Sequence, residues 1–170
     1  MHSRNPINVN VVNGPTTSFN PNDTVSGFSG IPINMTTLPE KMRAGGYIPH
    51  AIGKWHAGMY SHRQTPLGRG YESWLGYYGA CNSYWTMVDM CGMAACGSTA
   101  MVDFWEQDAS RGLDKPGNEY NNSQLCSQQQ QSVNGTRCVF EDDILAAMVR
   151  QVITNHSVQH PDQVRSSSKQ

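Results

Sequence analysis

Apolar positions are distributed unevenly along this chain, and the unevenness divides it. From Asn5 to Gly30 no hydrophobic period is sustained, and Asn, Gly, Pro, Ser and Thr crowd together, which predicts an extended, loop-rich segment over 1–34. The first helix is predicted to open at Thr37. That residue can cap it, Glu40 three positions on completes a capping box, and Pro39 is tolerated in the first turn. Gly45 and Gly46 stop it, and residues 47–53 read as a short strand. A helix followed directly by a strand is the unit from which parallel sheets are built, so 35–86 is assigned to such a unit and the fold class is α/β. Residues 87–137 are poorly patterned and end in a run of glutamines, which predicts an irregular surface insertion. A second helix is predicted within 138–156. Ile144, Leu145, Met148, Val149, Val152 and Ile153 form one stripe, and Glu141, Asp142 and Asp143 lie at the positive end of its dipole. A polar tail over 157–170 follows.

Composition narrows the functional classes. Hydrophobic residues are 38% and charged residues only 15%, so the polarity comes from Asn, Gln, Ser and Gly. With Lys+Arg 12 against Asp+Glu 13, no basic stripe is available for phosphates, and nucleic acid is excluded as a partner. No window approaches the roughly 18 apolar residues of a membrane span, and Met1 to Asn5 is followed by no apolar segment of the kind an export signal has. Five Asn-x-Ser/Thr sequons, at Asn22, Asn34, Asn121, Asn134 and Asn155, nevertheless suit a secreted glycoprotein. Five cysteines, Cys81, Cys91, Cys96, Cys126 and Cys138, all lie in the second half. An odd count in such a chain suggests a partner thiol outside it, and pairing among the five stays open.

The stretch Gly53-Lys54-Trp55-His56-Ala57-Gly58 holds the most chemistry. If the preceding strand keeps its period of two, Lys54 and His56 share one side of its carboxyl end and Trp55 turns to the other. A cation and an imidazole there could hold an anion and move a proton, because ligands of open parallel sheets bind beyond the carboxyl ends of the strands. Spacing alone favours the plainer reading, two exposed loop residues beside a buried Trp. His50, His56 and His62 recur every six residues, which fits no usual metal-ligand pattern. Asp142 and Asp143 read as helix-start charges and not as a calcium site.

Gly53-Lys54-Trp55-His56-x-Gly resembles the second signature of the sulfatases, and the flanks agree. Residues 37–47 are similar to the helix before that strand, 65–71 and Leu75-Gly76-Tyr77-Tyr78 to the segment after it, Arg4 to Asn10 to the sequence just downstream of the nucleophile motif, and 142–156 to a later helix. The arylsulfatase B-like branch is the nearest in pattern. The resemblance implies an internal part of an alkaline-phosphatase-like fold, with a mostly parallel sheet flanked by helices. It implies a calcium-dependent sulfuric ester hydrolase of the arylsulfatase type, acting on a sulfated small molecule or glycan and working in the secretory or lysosomal pathway. Lys54 would bind a sulfate oxygen and His56 would be the catalytic base. Cys81, Cys91 and Cys96 would lie near a short disulfide loop, and Cys126 with Cys138 could close a second.

The departures from the family are as specific. Cys-x-Pro-Ser-Arg, whose cysteine becomes the formylglycine nucleophile, is absent from these 170 residues, as are the calcium-binding carboxylates. The expectation is therefore a sulfatase fragment that is inactive by itself. The alternative is a non-catalytic secreted module of the same fold that binds sulfated glycans through Lys54, His56, Tyr84 and Trp85.

Overall fold

The computed structural model describes residues 30–59, 61–79, 81–89, 102–116, 132–133 and 136–159. Helix α1 (Leu38–Ala44) begins as its local signals require: Thr37 and Glu40 form the capping box, and the Glu40 carboxylate accepts the Thr37 N–H at 2.6 Å. The chain then runs into strand β1 (His50–Ile52), shorter than the seven residues expected. Two turns of 3-10 helix (His62–Gln64 and Leu67–Arg69) lead to β2 (Ser73–Gly76).

Strand β1 pairs parallel with β2, and β2 pairs antiparallel with β3 (Trp105–Asp108). β3 turns back into β4 (Leu113–Pro116), giving the sheet order β1-β2-β3-β4. The α/β class holds, but this sheet is mixed where a mostly parallel one was expected, and 105–116 belong to it and not to an irregular insertion. The reason is that this hairpin closes locally. Asp108 accepts from the Ser110 hydroxyl at 2.7 Å and from the Arg111 backbone at 3.0 Å, while the Arg111 guanidinium bridges Asp108 and Glu106. A small hairpin of β5 (Ser132–Val133) and β6 (Thr136–Arg137) precedes α2 (Glu141–Gln159).

The two faces of the sheet are covered differently. Leu75 turns to α2, where it forms a buried cluster with Met87, Phe104, Ile144 and Met148. Trp74, one position before, turns the opposite way toward Thr37 and Pro39 at the start of α1. Of the stripe predicted on α2, Ile144 and Met148 are buried and Leu145 and Val152 pack against the cluster, while Val149 and Ile153 are exposed. Arg69 is 2% exposed and binds the carbonyls of Ile33 and Met35, fixing the approach to α1, and its own carbonyl accepts the Thr37 hydroxyl at 3.0 Å.

A tight backbone approach joins the ends of β1 and β2. A Cβ on Gly76 would lie 2.1 Å from the Gly53 carbonyl oxygen, and backbone cannot yield as a side chain can. Gly76→Ala is expected to cost about 3 kcal/mol, at the upper end of overpacking penalties, read as a lowered denaturant midpoint of the complete protein. An unchanged midpoint would show that the β1–β2 junction is not packed this closely.

Candidate functional site

The residues from Gly53 to Gly58 leave the sheet at the carboxyl end of β1. Parallel pairing continues one step beyond the strand: the N–H groups of Gly53, Trp55 and His56 reach the carbonyls of Leu75, Tyr77 and Tyr78 at 2.8, 2.9 and 3.2 Å. The side-chain alternation does not continue. Gly53 sits at φ +92°, a conformation open to glycine without penalty, and this rotates the chain before Lys54 is reached. Lys54 and Trp55 both line a cavity of about 240 Å³, together with Ile52, Ala57, Tyr71 and Trp74.

Trp55 is only half-buried. Its indole N–H donates to the carbonyls of Gly58 at 2.7 Å and Gln64 at 3.0 Å, and its ring meets Tyr71 edge to face at 6.0 Å. It therefore pins the return of the loop. His56 adopts φ +43°, rare for a residue with a Cβ and costing on the order of 1 kcal/mol, a strain that persists only where surrounding contacts enforce it. The bonds at Trp55 and Tyr78 are those contacts.

Lys54 is exposed, and among the described residues no carboxylate pairs with it. His56 is partly buried. That burial, followed by the Lys54 charge, lowers its pKa below the usual imidazole value, so the ring is neutral and able to accept a proton at neutral pH. A free ammonium beside a neutral imidazole, at a strand's carboxyl end, can neutralise an anion and take a proton from a group bound to it.

Other candidates fare differently. A second cavity, about 360 Å³, lies at the amino end of β1 between the sheet and α2, and His50 and His156 face each other in it at 6.2 Å. Its polar groups are engaged with one another: His50 with Ser73 at 2.8 Å, Glu72 with Arg43, Asp108 with Arg111. Among the described residues no three His, Cys, Asp or Glu side chains could hold a metal ion, so His50, His56 and His62 form no centre, and calcium finds no set of ligands there. Cys81 and Cys138 are each disulfide-bonded, while Cys91, Cys96 and Cys126 lie outside the described residues. Asn34 and Asn155 are exposed, and Asn22, Asn121 and Asn134 are outside the described residues. Tyr84 and Trp85, candidates for stacking on a glycan, pack on Phe140 at 5.7 and 5.1 Å.

Sequence reasoning missed a buried polar group near this site. Glu141, expected as a solvated dipole partner, is 1% exposed, as is Asp103, and Asn82 links them. No pattern in the sequence marks these three as neighbours.

A family model described as Sulfatase matches residues 1–159. Arylsulfatase J of Mus musculus is 32% identical over 78 residues, 46% of this chain and 12% of that protein. Arylsulfatase G of Mus musculus is 39% identical over 64 residues, 38% of this chain and 11% of that one. The chain thus spans about one eighth or less of the length of these relatives in the matched region. Among solved structures, the crystal structure of Ps i-CgsB aligns with 77% of this chain and 25% of its own, at a TM-score of 0.45 and 19% identity.

Proposed function

The chain belongs to the sulfatase family, and from that premise we propose that it is part of an arylsulfatase-type sulfuric ester hydrolase, nearest the arylsulfatase B-like branch, in which Lys54 and His56 handle the sulfate group. The observation that carries this reading is the pairing of an unneutralised Lys54 ammonium with a neutral His56 held in a strained backbone conformation. A sulfate ester bears one negative charge, and more charge gathers on its oxygens and on the leaving oxygen as sulfur is attacked. Lys54 is placed to offset that charge. His56 would hydrogen-bond the hydrated nucleophile and, once sulfur has been transferred, take the proton of its remaining hydroxyl, so that the C–O bond to sulfate breaks, the aldehyde is restored and the proton passes on to water. The nucleophile, a formylglycine, and the calcium that the family resemblance implies belong to groups outside these 170 residues, so the chain by itself is inactive.

The substrate is a sulfated small molecule or glycan. The protein works in the secretory or lysosomal pathway and carries glycans on the exposed Asn34 and Asn155. Of the aromatics named for the non-catalytic glycan-binding alternative, Tyr84 and Trp85 both pack on Phe140 and Tyr84 stays half exposed. The test is release of inorganic sulfate by the complete protein from 4-nitrocatechol sulfate and from sulfated monosaccharides, with residues 1–170 assayed alongside. Release by the complete protein and none by residues 1–170 is expected. Binding of sulfated glycans without any release would overturn the enzymatic reading.

A further inference from the structure

Helix α2 begins on a buried acid that no cation reaches among the described residues. Asn82 Nδ2 donates to Glu141 Oε2 at 2.8 Å and to the Asp103 carbonyl at 3.2 Å. The Asp103 carboxylate in turn accepts the N–H groups of Tyr78 at 3.1 Å and Gly79 at 2.6 Å. The other groups that act on Glu141 or its neighbours are Asp142 on its own helix, Tyr77 and Tyr84 on the segment against it, and Asp89 beside Asp103. The ionisable ones are all acids or phenols, and the Trp105 indole also donates to the Asp103 side chain. Among the described residues no ion pair reaches Glu141 or Asp103. Asn82 Oδ1, meanwhile, is buried with no hydrogen-bond partner among the described residues.

These observations fit one protonation state better than the other. An ionised Glu141 leaves a buried negative charge with a single side-chain donor and leaves Asn82 Oδ1 facing no hydrogen. A protonated Glu141 can close a two-bond ring with the amide, Nδ2–H to one carboxyl oxygen and the carboxyl O–H to Oδ1, which satisfies both groups. We propose that Glu141 and Asn82 form a proton-operated latch that closes in acid, holding the start of α2 against the segment 77–89 and loosening as the pH rises. The latch adjoins the candidate site through Tyr78, whose N–H is held by Asp103 and whose carbonyl accepts the His56 N–H.

Burial first, then Asp142, raises the Glu141 pKa from 4.5 to about 7, against the pull of the Asn82 bond. The helix N-terminus also favours the ionised form and is outweighed. A raised carboxyl pKa means that the folded state holds its proton more tightly than the unfolded one. The contribution is therefore complete below about 4.5 and is lost as the pH rises toward about 7.

The experiment reads structure and not turnover, so it stands or falls apart from the sulfatase reading. Amide hydrogen exchange of the complete protein is measured between pH 5 and 8 and corrected for intrinsic rates, in wild type and in Glu141→Gln, whose amide can make the same two bonds at every pH. Wild type is expected to lose at least about tenfold protection in 77–84 and 141–145 across the range, the scale of one pH unit of linkage, while β3 and β4 change little. Glu141→Gln is expected to hold the acid-side protection throughout. Wild-type protection that is flat with pH overturns the latch whatever the variant does. So does an equal loss in every segment, or a Glu141→Gln protein that retains the wild-type pH dependence.

Discussion

Lys54→Ala and His56→Ala are each expected to lower sulfate-ester turnover by the complete protein about a hundredfold or more, the usual cost of removing a charge-stabilising donor or a general base. The two should differ in kind. Lys54 offsets charge that grows as the reaction proceeds, so its loss should lower kcat and kcat/KM together. Loss of His56 should flatten the acid limb of the pH profile, since the group that titrates there is gone. The Lys54 variant carries a further signature. The Lys54 charge is the second cause, after burial, of the lowered His56 pKa, and without it that pKa moves up. His56 must be neutral to accept a proton, so the acid limb of the residual kcat/KM should move to higher pH in Lys54→Ala. Turnover within twofold of wild type for both variants would remove these residues from the site, and an unmoved acid limb would separate Lys54 from His56.

Trp74→Ala is expected to cost the complete protein about 3–5 kcal/mol, the range for a fully buried aromatic. Trp74 is 0% exposed, packs against Tyr78 at a ring separation of 4.6 Å, and donates its indole N–H to the Gly53 carbonyl at 3.0 Å. It thus fills the face of β2 toward α1 and also fixes the peptide at which the chain turns into Lys54. Trp74→Phe should keep much of the packing but leave that carbonyl without its donor, a loss of about 1 kcal/mol. Trp55→Ala should cost less than Trp74→Ala, because Trp55 is only half-buried. Denaturant melts of the three variants check the order. A Trp55→Ala protein less stable than Trp74→Ala would mean that the two indoles have exchanged roles.

Both helices were legible in the sequence because their signals are local. Thr37, Pro39, Glu40 and Gly45 act within a turn of one another, and the acids and apolar stripe of 141–153 lie on one element. The sulfatase signature was legible for the same reason, six residues in a row. The strand β3 was not, and its composition explains why. Glu106, Gln107 and Asp108 are all buried, so no apolar alternation marks them. They are held inside by partners: Gln107 by Asp114 at 2.9 Å, Glu106 and Asp108 by Arg111.

The phase of the site was lost to a single dihedral. A period of two holds only while the backbone stays extended, and Gly53 at φ +92° interrupts it just before Lys54. The sequence by itself determined the helices, the family signature and the identity of the residues with chemistry. Tertiary structure alone decided which charges are buried and what neutralises them. Glu141 reads locally as a solvated acid at a helix start, but its hydrogen-bond partner, Asn82, lies 59 residues away. The cost of burying a carboxyl group depends on such distant partners, and no window of sequence contains them.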